Sequence, residues 1–202
     1  MNPAFISPPT RIPVLLRLAL WAAEKVAGRQ LLPPRLLAWY PKAAISSGIL
    51  EALIAHGEGR INQRVLKLVR MAVSFAVNCP FCMDMNSSGW NTLMTPEELS
   101  ALQGCKALED VASFSELERL AIEYAGLASQ TPLAFTPAFG ERLRAIFSER
   151  EIVILATTAA QVNYWARLIQ ALGCPPAGVT PDLNLYLDIG GESGKCYINS
   201  LG

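Results

Sequence analysis

The chain has 202 residues, 51% of them hydrophobic, and its 17 basic and 17 acidic side chains cancel to a formal net charge of zero. This composition supplies a core for one domain or two small ones; it excludes a disordered chain and a protein that draws in nucleic acid through a cationic field. With only 17% charged residues and a mean hydropathy of +0.29, the apolar surface exceeds what one small monomer hides, which favours a homo-oligomer.

Residues 1–10 hold three prolines and no periodicity, and read as an irregular arm ending at Thr10, a helix cap. From Arg11 to Gly28, Val14, Leu15, Leu18, Trp21, Ala22 and Val26 recur at helical spacing, predicting an amphipathic helix with Gly28 as its stop. The stretch Ile12 to Ala23 contains Pro13 and Arg17 and is too short to cross a bilayer. Leu31 to Pro34 reads as a break, Leu36 to Tyr40 as a short turn, and Lys42 to His56 as a helix closed by Gly57-Glu58-Gly59. A central helix from Asn62 to Val77 is apolar around most of its circumference and is therefore expected to be buried. Pro80 suits a first helical position, so a new helix capped by Asn78 or Cys79 is expected to run to about Leu93.

Thr95-Pro96-Glu97-Glu98 opens a short helix to Gly104. Capping boxes at Ser115–Glu118 and Ser148–Glu151 and a Thr136-Pro137 start predict three more helices, ending near Ser129, Phe147 and Leu172. Residues 177–202 carry five glycines and form a tail in which Leu183, Leu185, Leu187 and Ile189 alternate as in a strand. The expected architecture is all-α: a single-domain helical bundle spanning 1–202, with an N-terminal arm and a C-terminal tail. Ala76-Val77-Asn78 and Gln161-Val162-Asn163 form a faint internal echo.

Five cysteines, Cys79, Cys82, Cys105, Cys174 and Cys196, are an odd number with one close pair, which is no disulfide framework. The N-terminus shows no basic-apolar-small leader pattern, so the chain reads as cytoplasmic with reduced thiols, and Cys79-Pro80-Phe81-Cys82 is its chemically specific motif. Two thiols three positions apart in a first helical turn can close a disulfide, and the positive end of the helix favours a thiolate. A zinc site needs two further ligands, but the chain has a single histidine, His56, and no second close cysteine pair, so no metal or cofactor is expected. Two inert core cysteines are the bland alternative.

Leu68-Val69-Arg70 followed by Val77-Asn78-Cys79-Pro80-Phe81-Cys82-Met83-Asp84-Met85 resembles the Cys-x-x-Cys-x-Asp-Met core of the carboxymuconolactone decarboxylase and alkylhydroperoxidase (AhpD-like) family. Phe114–Arg119, Phe147–Val153 and Asn163–Arg167 support the resemblance, which spans about 36–178. It implies an all-helical AhpD-like bundle assembled as a trimer or hexamer. Cys82 would be the peroxidatic thiol and Cys79 the resolving one, with a hydroperoxide as substrate and a dithiol reductant or adaptor as partner. The family's proton relay, a glutamate and a histidine, falls on Lys67 and Asn86 here, and neither replaces an imidazole base. Asp84 is the nearest carboxylate, and Lys67, if it faced the pair, would stabilise a thiolate. The leading expectation is a thiol peroxidase or disulfide oxidoreductase of low activity. The alternative is a catalytically degenerate scaffold that binds or assembles, and decarboxylation of a carboxylactone ranks last.

Overall fold

The computed structural model describes residues 4–54 and 57–180. Its helices are α1 (Val14–Ala27), α2 (Leu32–Leu37), α3 (Pro41–Ile54), α4 (Gln63–Ala76), α5 (Pro80–Asn86), α6 (Pro96–Leu102), α7 (Glu116–Leu127), α8 (Pro137–Ile146) and α9 (Glu149–Ala171), with single 3₁₀ turns at Trp90–Thr92 and Leu108–Asp110. Among the described residues there is no strand, only one isolated bridge between Glu58 and Ile61. The fold is all-α, as the periodicity predicts. The alternating leucines 183–189 and His56 lie outside the described residues.

α4 is the axis of the bundle. Leu68, Val69, Met71 and Val73 are fully buried on its broad apolar side, while Gln63, Arg64, Lys67, Arg70 and Ser74 line a narrower polar face, of which the first four are not buried. It packs on α5, α6, α7 and α9. Asn62 starts it by accepting the Arg64 and Val65 N–H groups at 3.0 and 3.1 Å. α9 is long and apolar enough, by length and composition, to cross a membrane. Leu155, Ala159, Val162 and Ala166 are buried, however, and the helix packs on α3, α4, α5 and α7, the position of a core helix.

The N-terminal part departs from expectation at several points. Pro33 and Pro34 do not break the chain; they occupy the first turn of α2, where a missing N–H costs nothing. α1 begins at Val14 behind Pro13, so Thr10 does not cap it. Its apolar residues do not all face inward: Leu20 is buried, while Leu15, Leu18, Trp21 and Val26 are exposed. The arm packs on its own chain, with the Phe5 N–H donating to the Leu172 carbonyl at 3.0 Å and the Trp39 indole donating to the Ser7 carbonyl at 2.7 Å.

At the start of α4, Arg64 holds three elements together. Its guanidinium meets Glu98 of α6 at 2.7 Å and Glu118 of α7 at 2.6 Å, and also donates to the Leu93 carbonyl. Burial by itself would raise the pKa of both glutamates, but hydrogen bonds from Arg64 and from the helix caps outweigh it and hold both below the usual value. Replacing Arg64 with Met strands two buried carboxylates and is expected to cost ~3–5 kcal/mol in urea unfolding, whereas Arg150→Ala at the exposed Glu58 pair changes stability by less than about 0.5 kcal/mol. Because the folded-state pKa values of Glu98 and Glu118 are depressed, their contribution is present above the normal carboxylate range and is lost as pH falls through it.

Candidate active site

The cysteine pair sits where one buried helix stops and another starts. Val77 ends α4, and Asn78 takes a left-handed conformation at φ 48°, which asparagine tolerates better than most residues. The Cys79 N–H then donates back to the Ser74 carbonyl at 3.2 Å, and Cys79 itself is extended, as an N-cap must be. Pro80 fills the first helical position. In place of the hydroxyl or carboxylate that normally caps a helix, the Cys79 Sγ accepts the Cys82 N–H at 3.3 Å. The helix is shorter than expected: it ends at Asn86, and Gly89 at φ 65° turns the chain into the 3₁₀ turn at Trp90.

Both thiols are buried, Cys79 at 0% and Cys82 at 3% exposure. The hydrogen bond from the Cys82 thiol is the largest influence on Cys79 and lowers its pKa; burial opposes this, and the backbone N–H of Cys82, the Gln170 amide and the Phe81 N–H add to the lowering. Cys82 moves the opposite way, pushed up by that same hydrogen bond and by burial. When the pair loses a proton, Cys79 is therefore the favoured thiolate, with Cys82 as its protonated donor. In Cys82→Ala the largest stabilising contact is gone, so Cys79 should titrate at higher pH than in the wild type, as read by pH-dependent alkylation mapped by mass spectrometry.

Cys82 also faces a cavity of about 640 Å³. Phe81 and Met85 of α5, Val162 and Ile169 of α9, and Leu20 and Leu37 of the N-terminal helices make its wall largely apolar. One side is polar: Gln161, 1% exposed, accepts from Arg70 at 2.7 Å and donates to Glu51 at 2.8 Å, and the Trp165 indole donates to the same carboxylate oxygen at 2.9 Å. Gly48 lines the cavity as well, and a Cβ built there meets no atom within 4 Å. A larger cavity of about 970 Å³, bordered by α4, α7 and α8, includes neither cysteine of the pair.

The auxiliary positions have other partners. Lys67 donates its Nζ to the Ser88 carbonyl at 2.5 Å; burial, then the nearby Arg70, lowers its pKa to about 8, and it is not among the influences on either thiol. Asn86 lies one helical turn beyond Cys82, borders the same cavity, and donates to the Ser74 hydroxyl at 2.8 Å. Asp84 is engaged by the C-terminal segment. Its carboxylate accepts the Val179 N–H at 2.9 Å, the Thr180 N–H at 2.7 Å and the Thr180 hydroxyl at 2.8 Å. Met83 joins the main core and Trp90 packs at its margin, while Arg167 is exposed. Among the described residues no cluster of three or more metal-ligating side chains exists.

Sequence reasoning missed Glu51 and Gln161 as cavity residues. The available signal was one acid in the apolar run Ala43–Ile54 and one amide in the apolar span Ile152–Val162.

Burial raises the Asp84 pKa, but the backbone and hydroxyl donors of residues 178–180 lower it further than burial raises it. Asp84→Asn should cost about 1–3 kcal/mol and speed amide exchange at Val179 and Thr180. Since the folded-state pKa is depressed, the stabilisation is full above the ordinary aspartate range and disappears as pH drops through it.

No family model matches the chain. Over 180 residues, 86% of this chain and 94% of the relative, it is 27% identical to YnjA, an uncharacterized protein of Escherichia coli K12. Among solved structures it resembles the debrominase Bmp8 at TM-score 0.73 and 18% identity, over 88% of this chain and 95% of that one. A cysteine-to-alanine variant of Bmp8 in complex with 2,3,4-tribromopyrrole matches with the same TM-score. An uncharacterized peroxidase-related protein with an AhpD core from Ralstonia eutropha matches at TM-score 0.70 and 16% identity, over 87% and 93% of the two chains. The chain has the AhpD-like fold.

Proposed function

We propose that the chain is a thiol-dependent reductase of apolar electrophiles, hydroperoxides first, which stores the oxidising equivalents as a Cys79–Cys82 disulfide. The observation that carries this reading is that Cys82 borders an apolar cavity while its hydrogen-bonded partner Cys79 is the favoured thiolate. Cys79 then does the work of the absent relay. As the Cys82 sulfur attacks the distal peroxide oxygen, its proton passes to the Cys79 thiolate and on to the departing alkoxide. The O–O bond breaks, leaving Cys82 as a sulfenic acid, Cys79 again as thiolate, and an alcohol. Cys79 attacks the sulfenic sulfur, the S–O bond breaks, and hydroxide leaves. One hydroperoxide, one thiol and one thiolate thus give an alcohol, a disulfide and hydroxide.

A dithiol reductant of a reducing, cytoplasmic environment would regenerate the pair. The same balance serves a brominated aromatic ring, which would yield the hydro-arene, the disulfide and bromide. The apolar wall beside Cys82, together with the fold shared with Bmp8, favours this second substrate class over a decarboxylation, in which the pair has no part.

Single-turnover oxidation by cumene hydroperoxide or a bromopyrrole is the test. The wild type should lose two thiols and yield a Cys79–Cys82 disulfide by peptide mapping; Cys79→Ser should stop at the sulfenic acid and Cys82→Ser should not react. Gly48→Leu, which projects into free space in the cavity and removes a helical glycine, should keep or raise stability by up to about 1 kcal/mol while lowering kcat/KM for bulky substrates about tenfold or more. No thiol loss at saturating concentrations of both reagents would replace this reading with that of a binding or assembly module. The reading includes self-association into a homo-oligomer: Leu15, Trp21, Ile45 and Ile49 expose apolar surface on α1 and α3. Light scattering should return a multiple of the chain mass, and a monomer at micromolar concentration would refute that part.

A further inference from the structure

A third thiol lies against the pair. Gly173, at φ 65°, turns the chain sharply at the end of α9, and the Cys174 N–H closes the turn by donating to the Ile169 carbonyl at 3.1 Å. The left-handed φ favours glycine here, and the Phe5 ring lies 2.8 Å from where a Cβ would be. Cys174 thereby packs on the apolar cluster that Cys79 and Cys82 form with Phe81, Ala166 and Ile169. The next residues are tied down beyond it. Arg29 donates to the Ala177 carbonyl at 2.6 Å, and Asp84 holds the amides of Val179 and Thr180. The segment 174–180 is thus anchored at both ends, one of them on the cysteine helix itself.

Accessibility gives this arrangement a use. Cys79 is completely buried and Cys82 nearly so, which leaves a disulfide between them little surface for a bulky dithiol to attack. Cys174 is half-buried and reaches the surface.

We infer that Cys174 is a relay thiol that carries the disulfide outward: its sulfur attacks Cys79 in the Cys79–Cys82 disulfide, forming a Cys79–Cys174 disulfide and releasing Cys82 as a thiolate that takes up the proton lost by Cys174. One S–S bond forms and one breaks, with no net oxidation or reduction. An external dithiol then reduces Cys79–Cys174 by the same exchange and is itself oxidised to a disulfide. The order of events is built into the electrostatics. In the reduced protein Cys174 is held at about 11, chiefly by burial and secondly by the negative charge on Cys79. Once Cys79 is in a disulfide that charge is gone, so Cys174 ionises more readily when it is needed, and the transfer speeds up with rising pH.

This inference rests on the proposal that Cys79 and Cys82 form a redox pair, and its test separates the two. In a background with Cys105 and Cys196 replaced by Ser, the Cys82→Ser variant is oxidised with diamide, which needs neither peroxidase nor debrominase activity. A single disulfide joining the Cys79 and Cys174 peptides is expected; its absence overturns the relay even if peroxide oxidation of the Cys79–Cys82 pair proceeds. The second measurement is reduction of the peroxide-formed disulfide by dithiothreitol. Both Cys174→Ser and Cys174→Ala should slow it by about tenfold, with the preceding oxidation rate as internal control. Reduction as fast as in the wild type overturns the relay. A diamide cross-link in Cys82→Ser combined with no response of the wild type to hydroperoxide or bromopyrrole sinks the proposed reductase activity and leaves the thiol relay standing.

Discussion

The hydrogen bond from the Cys82 N–H to the Cys79 sulfur organises the candidate site. A neutral thiol is a poor helix cap, because sulfur is a weak acceptor; a thiolate is a good one, because it meets an unpaired N–H at the positive end of the helix. Capping α5 with Cys79 therefore couples the start of the helix to the charge on that sulfur. Deprotonation strengthens the cap, and a disulfide removes the charge that made it strong.

That cap exists because α4 is fixed at both ends. At one end Asn62 closes the first turn while Arg64 ties it to α6 and α7; at the other, Asn78 adopts a left-handed conformation and sends the chain back so that the Cys79 N–H reaches the Ser74 carbonyl. With α9 packed along α4, the turn between α4 and α5 has no room to relax. α1 to α3 pack less completely and instead wall the cavity next to Cys82. The division is a common one: a rigid, buried scaffold holds the reactive groups, and looser elements shape access to them.

Much of this was legible in the sequence because it is local. Thr95, Ser115 and Ser148 cap their helices as their spacing implies, all three in complete capping boxes. The broad apolar side of α4 and the Cys79-Pro80 helix start follow from residues close together in the chain. What was not legible depends on partners far along the chain. Pro33 and Pro34 read as breakers, but they occupy the first turn of α2. Asp84 reads as a spare carboxylate next to the thiols, but its partners are 95 and 96 positions away. Glu51 and Gln161, 110 positions apart, meet only because α3 packs on α9. Cys174 has no motif at all, and only the glycine turn brings it onto the pair.

The replaced relay takes on a different meaning in this setting. A glutamate and histidine are useful to a thiol that must lose its proton to a neighbour, but here the neighbour is the other thiol. In the proposed reaction Cys79 is the favoured thiolate, its pKa lowered by the Cys82 thiol against the opposing effect of burial, with backbone and Gln170 donors adding to the lowering. Lys67, with its pKa lowered to about 8, is spent on the Ser88 carbonyl that closes the turn after α5, and Asn86 on Ser74 of α4. Both contacts tie the C-terminal end of the cysteine helix to α4. In the proposed reaction the acid limb of the pH-rate profile would belong to Cys79: its protonation would leave Cys82 without a base and α5 without a charged cap, so one ionisation would govern both the chemistry and the geometry that supports it.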